Sequence, residues 1–269
     1  MPELPEVETI ARNLQRKIGG KRIAAVAVYW DRTIACPARA LFTKKLAGAK
    51  ITRIDRRAKY LRIELSRNGK QQFMLIHLRM SGVLEIESRN YKPAKHDRVI
   101  LSFADGKKLV FNDTRKFGRI YLVDDHSRIT GKLGPEPLDP ELDPERFYAM
   151  LRLKKGAIKP LLLNQAFLVG IGNIYVDESL WRAKIHPLTR ANRISKLRVP
   201  KLLQAIRQTL SEAIENQGTH IGDGVVAWGR YVPRVYQRDG HGCPRCRTTI
   251  KRIVVGQRGT HLCPGCQKR

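Results

Sequence analysis

Apolar residues at Val7, Ile10, Ala11, Leu14 and Ile18 recur at helical spacing and stop at Gly19 and Gly20, which predicts a helix over about residues 5 to 18. From Lys21 the pattern changes to short β-branched stretches: Arg22–Tyr29, Lys50–Asp55, Tyr60–Leu65, Phe73–Leu78, Val83–Glu87, Arg98–Phe103, Lys108–Asn112 and Arg119–Val123. Turn signals such as Asn68 with Gly69 and Asp105 with Gly106 separate several of them. Many short strands punctuated in this way predict a two-layer β-sandwich with the first helix packed at one end. The stretch from Leu133 to Glu145, rich in proline and acid, continues neither strand nor helix and reads as a linker. Beyond it the periodicity is helical at Pro144–Leu151, Ile158–Asn164, Ile174–Ala183 and Val199–Asn216, the last with Leu202, Leu203, Ile206, Leu210 and Ile214 on one face. A β domain is thus followed by a helical one, with no internal repeat.

The C-terminal end changes the picture. Cys243 with Cys246 and Cys263 with Cys266 form two CxxC pairs, and four thiolates so spaced match a closed, tetrahedral structural zinc site with no ligand position left for catalysis. Between the pairs, Thr248–Val255 and Thr260–Leu262 flank Gly256, Gln257, Arg258 and Gly259, a β-hairpin with an arginine at its tip. Five cysteines, with Cys36 standing apart, argue for reduced thiols and metal rather than a disulfide framework.

Charge identifies the class of partner. With 52 Lys+Arg against 24 Asp+Glu the chain carries +28, and the polyanion that suits such an excess is nucleic acid. A membrane surface is the rival, but no long apolar run, secretory signal or basic amphipathic anchor is visible, so a soluble intracellular protein is expected. Basic clusters at Arg56–Tyr60 and Lys154–Lys159 flank the linker and suit a groove following a phosphate backbone, where either one alone would read as a solvated face. His77–Gly82 and Asp113–Gly118 set Met80 and Phe117 beside arginines, as in wedges that unstack a duplex, although a lone Met or Phe is ordinarily core. Leu168–Tyr175 brings a glycine turn to a helix start, where exposed N–H groups favour a phosphate. It is not a dinucleotide fingerprint, because Tyr175 stands at the third glycine position and no strand precedes it.

The first six residues carry the remaining chemistry. Removal of Met1 would leave Pro2 with a secondary amine next to the Glu3 carboxylate, and an α-amino group titrates near roughly 7.7–8.0, so part of it is nucleophilic at neutral pH. Condensation of a secondary amine with a carbonyl-like carbon gives an iminium that stays cationic and favours elimination. Glu3 would donate the proton that a departing oxygen or nitrogen needs, and Glu6, one turn on, would orient it. An ordinary helix start explains the same residues: Pro5 fits a first turn, and Glu3 and Glu6 fit the positive end of the helix dipole.

Taken together, Pro2–Glu6, Arg57–Tyr60, His77–Gly82, Lys95–Asp97, Asp113–Gly118, Leu133–Pro137, Gly170–Tyr175 and the cysteine hairpin resemble the formamidopyrimidine-DNA glycosylase family over nearly the whole chain. The resemblance implies an α+β multidomain fold: an N-terminal β-sandwich with its helix (1–132), a linker and helix–two-turn–helix domain (133–240) and a zinc finger (241–269). It further implies a bifunctional repair enzyme, a monomer that grips damaged double-stranded DNA between its domains in the bacterial cytoplasm at the nucleoid. Such an enzyme removes oxidised purines, formamidopyrimidines and 8-oxoguanine, by way of a Schiff base and cuts the strand by β,δ-elimination. Carried over by position, Pro2 is the nucleophile and Glu3 the acid. Lys59 sits at the phosphate and gives a proton in β-elimination, while Arg258 serves phosphate binding and δ-elimination. His96, Arg115 and Lys154 fall on DNA contacts, His77 and Asn173 on residues that pinch the phosphate, and Met80, Arg115 and Phe117 on the triad that fills the hole left by the flipped nucleotide. Zinc is the one cofactor implied, with no catalytic metal. The chain departs from the family at Arg79, where a glycine is usual, at Thr114 and Lys116, and in a shortened segment from Thr219 to Tyr236, which suggests weaker excision of 8-oxoguanine. The rival readings are an endonuclease VIII-like enzyme acting on oxidised pyrimidines and a non-catalytic protein that binds damaged DNA.

Overall fold

A computed structural model of the chain describes residues 1–219 and 229–269, which group into two compact units. The first takes in Met1, Pro2 and Glu6–Gly131; the second takes in Glu3–Pro5, residues 132–219 and Gly229–Arg269.

Helix α1 (Leu4–Ile18) buries Val7, Ile10, Ala11, Leu14 and Ile18, the face read from the sequence, and the chain turns away where Gly20 adopts φ +81°. There follow β1 (Ile23–Val28), β2 (Ile34–Cys36), α2 (Arg39–Leu46), β3 (Lys50–Arg57), β4 (Tyr60–Arg67), β5 (Lys70–His77), β6 (Gly82–Glu87), β7 (Asp97–Phe103), β8 (Lys108–Asp113), β9 (Arg119–Val123) and the short α3 (Ser127–Thr130). One sheet is antiparallel in the order β1-β7-β8-β6; the other runs β2-β9-β5-β4-β3, with β2 and β9 parallel. Met74, Ile76 and Ile120 from one sheet and Leu84, Val99, Leu101 and Phe111 from the other share a single core with α1 and with Phe42 and Leu46 of α2. Each such side chain contributes roughly 1.5–3 kcal/mol by leaving water. The sandwich expected from the strand pattern is present. β2 and α2 were not legible: the strand is three residues long and ends against Pro37, and the helix buries only Phe42 and Leu46.

The second unit contains α4 (Pro144–Arg152), α5 (Ile158–Leu163), α6 (Asn173–Arg182), α7 (Val199–Glu215) and the hairpin β10 (Lys251–Val255) and β11 (Arg258–Leu262). Asp143 caps α4 by accepting from the Arg146 amide at 2.7 Å, with Pro144 in the first turn. The stretch before it has no regular element, yet it is fixed. The Arg207 guanidinium of α7 donates to the carbonyls of Pro137, Asp139 and Leu142 at 2.8–2.9 Å. In α6, every residue from Ile174 to Trp181 is buried, including Asp177 and Glu178. The hairpin turn is Gly256 with Gln257, at φ +54° and +61°, a left-handed pair that matches strand twist, and Val255 lies opposite Arg258. Arg258 therefore opens the returning strand beside the turn instead of standing at its tip.

Candidate nucleic-acid interface and catalytic terminus

In the first unit, two loops are clasped by one buried carboxylate. Asp113, at the end of β8 and fully buried, accepts from the Gly118 amide at 2.7 Å, from the Arg115 amide at 3.2 Å and from the Ser81 hydroxyl. Its own amide donates to the His96 carbonyl, and its carbonyl accepts from Arg98 Nε at 2.8 Å. The loops after β5 and β8 are thereby locked together, and they present Met80 and Phe117 about half exposed, at 45% and 48%. The Arg115 guanidinium lies 5.0 Å over the Phe117 ring. Large apolar groups held in solvent by a buried polar clasp suit a partner that covers them. Asp113 and Ser81 are positioning groups that sequence reasoning missed. Arg79 and Lys116 sit at φ +57° and +59°, which explains why a glycine is favoured at the first of them.

The register of β4 and β5 sets Tyr60 opposite His77, one residue from the tight turn formed by Ala58 (φ +55°) and Lys59. Lys59 is 6% exposed. His77 packs edge-on against Tyr60, and its Nδ1 accepts from the Arg79 amide at 3.1 Å, which places the proton of the neutral ring on Nε2. Burial, with the cations of Arg79 and Lys59, pulls His77 down to about 3. The ring is therefore a neutral donor beside a lysine, a combination suited to an anionic oxygen. His96 is half-buried beside Arg98, while Pro2 and Glu6 are buried and Met1 is 43% exposed.

In the second unit, the amino-terminal end of α6 already holds an anion, the chain's own Glu3. Its carboxylate accepts from the amides of Gly172, Ile174 and Tyr175 at 2.7, 3.1 and 3.4 Å, and a Cβ at Gly172 would lie 2.3 Å from it. The expectation that these N–H groups await a phosphate is corrected: the helix end fixes Glu3, whose negative charge the dipole and three donors stabilise. Leu4 adds an amide bond to the Gly170 carbonyl at 2.9 Å.

The same helix mounts the hairpin. Asn173 Nδ2 and Lys159 Nζ both donate to the Gly259 carbonyl, at 3.0 and 3.1 Å, next to Arg258. Lys159, fully buried, also pairs with Asp177 at 2.7 Å, and Asp177 accepts from the His261 amide at 2.8 Å. Burial lowers the Lys159 pKa, opposed by Asp177. Glu178 accepts from the amides of Arg234, Val235 and Tyr236 at 2.8–2.9 Å, and burial pushes its carboxyl up. It anchors the end of the segment read as shortened. Half of that segment, residues 220–228, lies outside the described residues. Its stems are paired through the Tyr231 amide and the Gly218 carbonyl at 3.0 Å. Lys154 stands on the exposed connection between α4 and α5. No feature of the Lys159 context distinguished it from a surface lysine, whereas two adjacent acids inside the apolar run of α6 were a usable signal.

Cys243, Cys246, Cys263 and Cys266 place their sulfurs within 4.8 Å of one another, with spacings of 3.4 Å between Cys246 and Cys263 and 3.9 Å between Cys243 and Cys266. Four sulfurs at about 2.3 Å from one zinc ion would stand about 3.8 Å apart, so the donor set and its spacing fit a structural zinc. Among the described residues no helix is long and apolar enough to cross a membrane.

Comparison with known proteins accounts for this arrangement. Family models match at residues 1–120 (formamidopyrimidine-DNA glycosylase N-terminal domain), 133–223 (formamidopyrimidine-DNA glycosylase H2TH domain) and 240–269 (zinc finger found in FPG and IleRS). The formamidopyrimidine-DNA glycosylase of Protochlamydia amoebophila is 41% identical over 279 residues, covering 100% of both chains, and that of Enterococcus faecalis is 42% identical over 277 residues, covering 100% of this chain and 98% of its own. Crystal structures of Lactococcus lactis Fpg bound to DNA containing N7-benzyl-Fapy-dG and to DNA containing an oxidised pyrimidine superpose with a TM-score of 0.92 at 36% identity over 100% of each chain. The chain is therefore an enzyme of the formamidopyrimidine-DNA glycosylase family, built from the family's sandwich, helical domain and zinc finger.

Proposed function

We propose that the protein is a monomeric glycosylase and lyase of bacterial base-excision repair that removes oxidised purines, formamidopyrimidines first, from duplex DNA and then cuts the strand. The observation that carries this reading is the fixing of Glu3, the residue next to Pro2, on the α6 amides. After removal of Met1, the Pro2 nitrogen bonds to C1′ of the damaged nucleotide. The bond to the base breaks with both electrons going to the base, which takes its proton from water as it leaves. Glu3, a carboxylate at rest, takes the proton that the nitrogen sheds and returns it to the ring oxygen as the sugar opens. The resulting iminium acidifies C2′. Loss of that proton expels the 3′ phosphate, and a second elimination expels the 5′ phosphate. Lys59 and Arg258 serve these eliminations at the phosphates, His77 and Asn173 hold the backbone, His96, Arg115 and Lys154 bind the flanking strand, and Met80, Arg115 and Phe117 fill the vacated stack.

The test is borohydride reduction in the presence of an abasic duplex. A covalent adduct is expected with the Met1-processed protein and none with an acetylated terminus; equal trapping by both would remove Pro2 from the mechanism. A panel of formamidopyrimidine, 8-oxoguanine and oxidised-pyrimidine duplexes ranks the substrates. The pyrimidine arm is included because the Lactococcus lactis relative has been crystallised with such DNA.

A further inference from the structure

One contact joins the zinc finger to α6 and takes no part in metal ligation or in the proposed chemistry. Trp181, in the last turn of α6 and 8% exposed, donates its indole Nε1–H to Cys243 Sγ at 3.4 Å. Arg245, from the first CxxC pair, lays its guanidinium 4.1 Å over the same ring and donates to the Trp181 carbonyl at 3.0 Å. Val235 and Ile250 complete an apolar pocket around Trp181, Cys243 and Cys263. A second tie lies nearby: Gln267 donates to the Ile185 carbonyl and accepts from the Cys263 amide, both at 2.9 Å.

Four thiolates on one zinc ion leave a net negative charge, and two of them, Cys243 and Cys263, are fully buried, where water cannot spread it. A phenyl ring would fill much of the same pocket, but only an indole brings a donor to the sulfur. We propose that Trp181 is a positioning residue for the metal site: its N–H···S hydrogen bond, with Arg245 behind it, draws charge from the Cys243 thiolate, slows zinc loss and makes α6 the mount on which the loaded finger sits. Partners of this kind outside the ligand sphere typically alter metal affinity about tenfold to a hundredfold when removed.

The test uses full-length, zinc-loaded protein. Trp181→Phe keeps ring packing and removes the donor. Under excess chelator, with released zinc read by a chromophore, the variant should lose its metal about tenfold faster than the parent. With cobalt in place of zinc, the thiolate-to-metal charge-transfer band should move to lower energy in the variant, because a thiolate without its hydrogen bond is the stronger electron donor. A role in packing alone would leave that band in place. Parental release rates and an unmoved band in Trp181→Phe would overturn the proposal. Should that variant not fold, benzothienylalanine at position 181, which has the indole shape with sulfur in place of the N–H, is measured in the same two ways: faster release with a shifted band supports the proposal, and parental values of both overturn it.

Discussion

His77 shows how much one side chain can carry. The ring is neutral down to about 3 in the folded protein, because burial and two neighbouring cations oppose its protonation, while the unfolded chain takes up a proton near 6.5. Between those limits the unfolded state binds more protons, so stability is intact above about pH 6.5 and falls as pH drops through the interval. Between pH 7 and 4 the loss assignable to this group is roughly 3 kcal/mol. Urea unfolding of His77→Gln across that range should show a pH dependence shallower by about one proton; identical slopes would mean that the ring is solvated. Residues of this kind were partly legible. His77, Lys59, Met80 and Arg115 stood in motifs that mark a site, but nothing in sequence order showed that Asp113 is the group holding two of those loops together, since its partner Ser81, 32 residues away, is brought to it only by the fold.

At the scale of elements, α6 organises the second unit. Its amides hold Glu3, Asn173 holds the hairpin, Asp177 pairs with Lys159, Glu178 anchors residues 234–236 and Trp181 reaches the cysteines. A helix buried all round has no solvated face for its acids, so each must be paired, and each pairing is a structural tie. Lys159→Met should destabilise the protein by about 3–5 kcal/mol, because Asp177 keeps a buried charge without its cation. Adding Asp177→Asn should restore much of that loss in thermal or urea unfolding; a neutral single variant would show the pair to be dispensable. Periodicity gave the long helices and most strands to within a few residues, because the apolar face of each long element is a local property of the chain. It could not give β2 or α2, which offer too few buried positions, nor the occupant of the α6 amino terminus, since Glu3 and Gly172 are brought together by tertiary folding.

At the scale of the whole molecule, the +28 charge sets how the enzyme meets a polyanion. Affinity for duplex DNA should fall linearly in a plot of log K against log salt as counterions are released. Lys154→Ala, which removes an exposed cation from the connection between α4 and α5, should weaken binding to damaged and undamaged duplexes alike and lower that slope by about one. Titrations at several salt concentrations check both; a change confined to damaged DNA would give Lys154 a different role. The buried front of the chain has a practical consequence of another kind. Pro2 is buried and Glu3 is 2% exposed, so a purification tag left fused ahead of Met1 would put an amide nitrogen at Pro2 in place of the free amine that the proposed reaction needs. Arg269 is exposed at the opposite terminus, and a fusion partner belongs there.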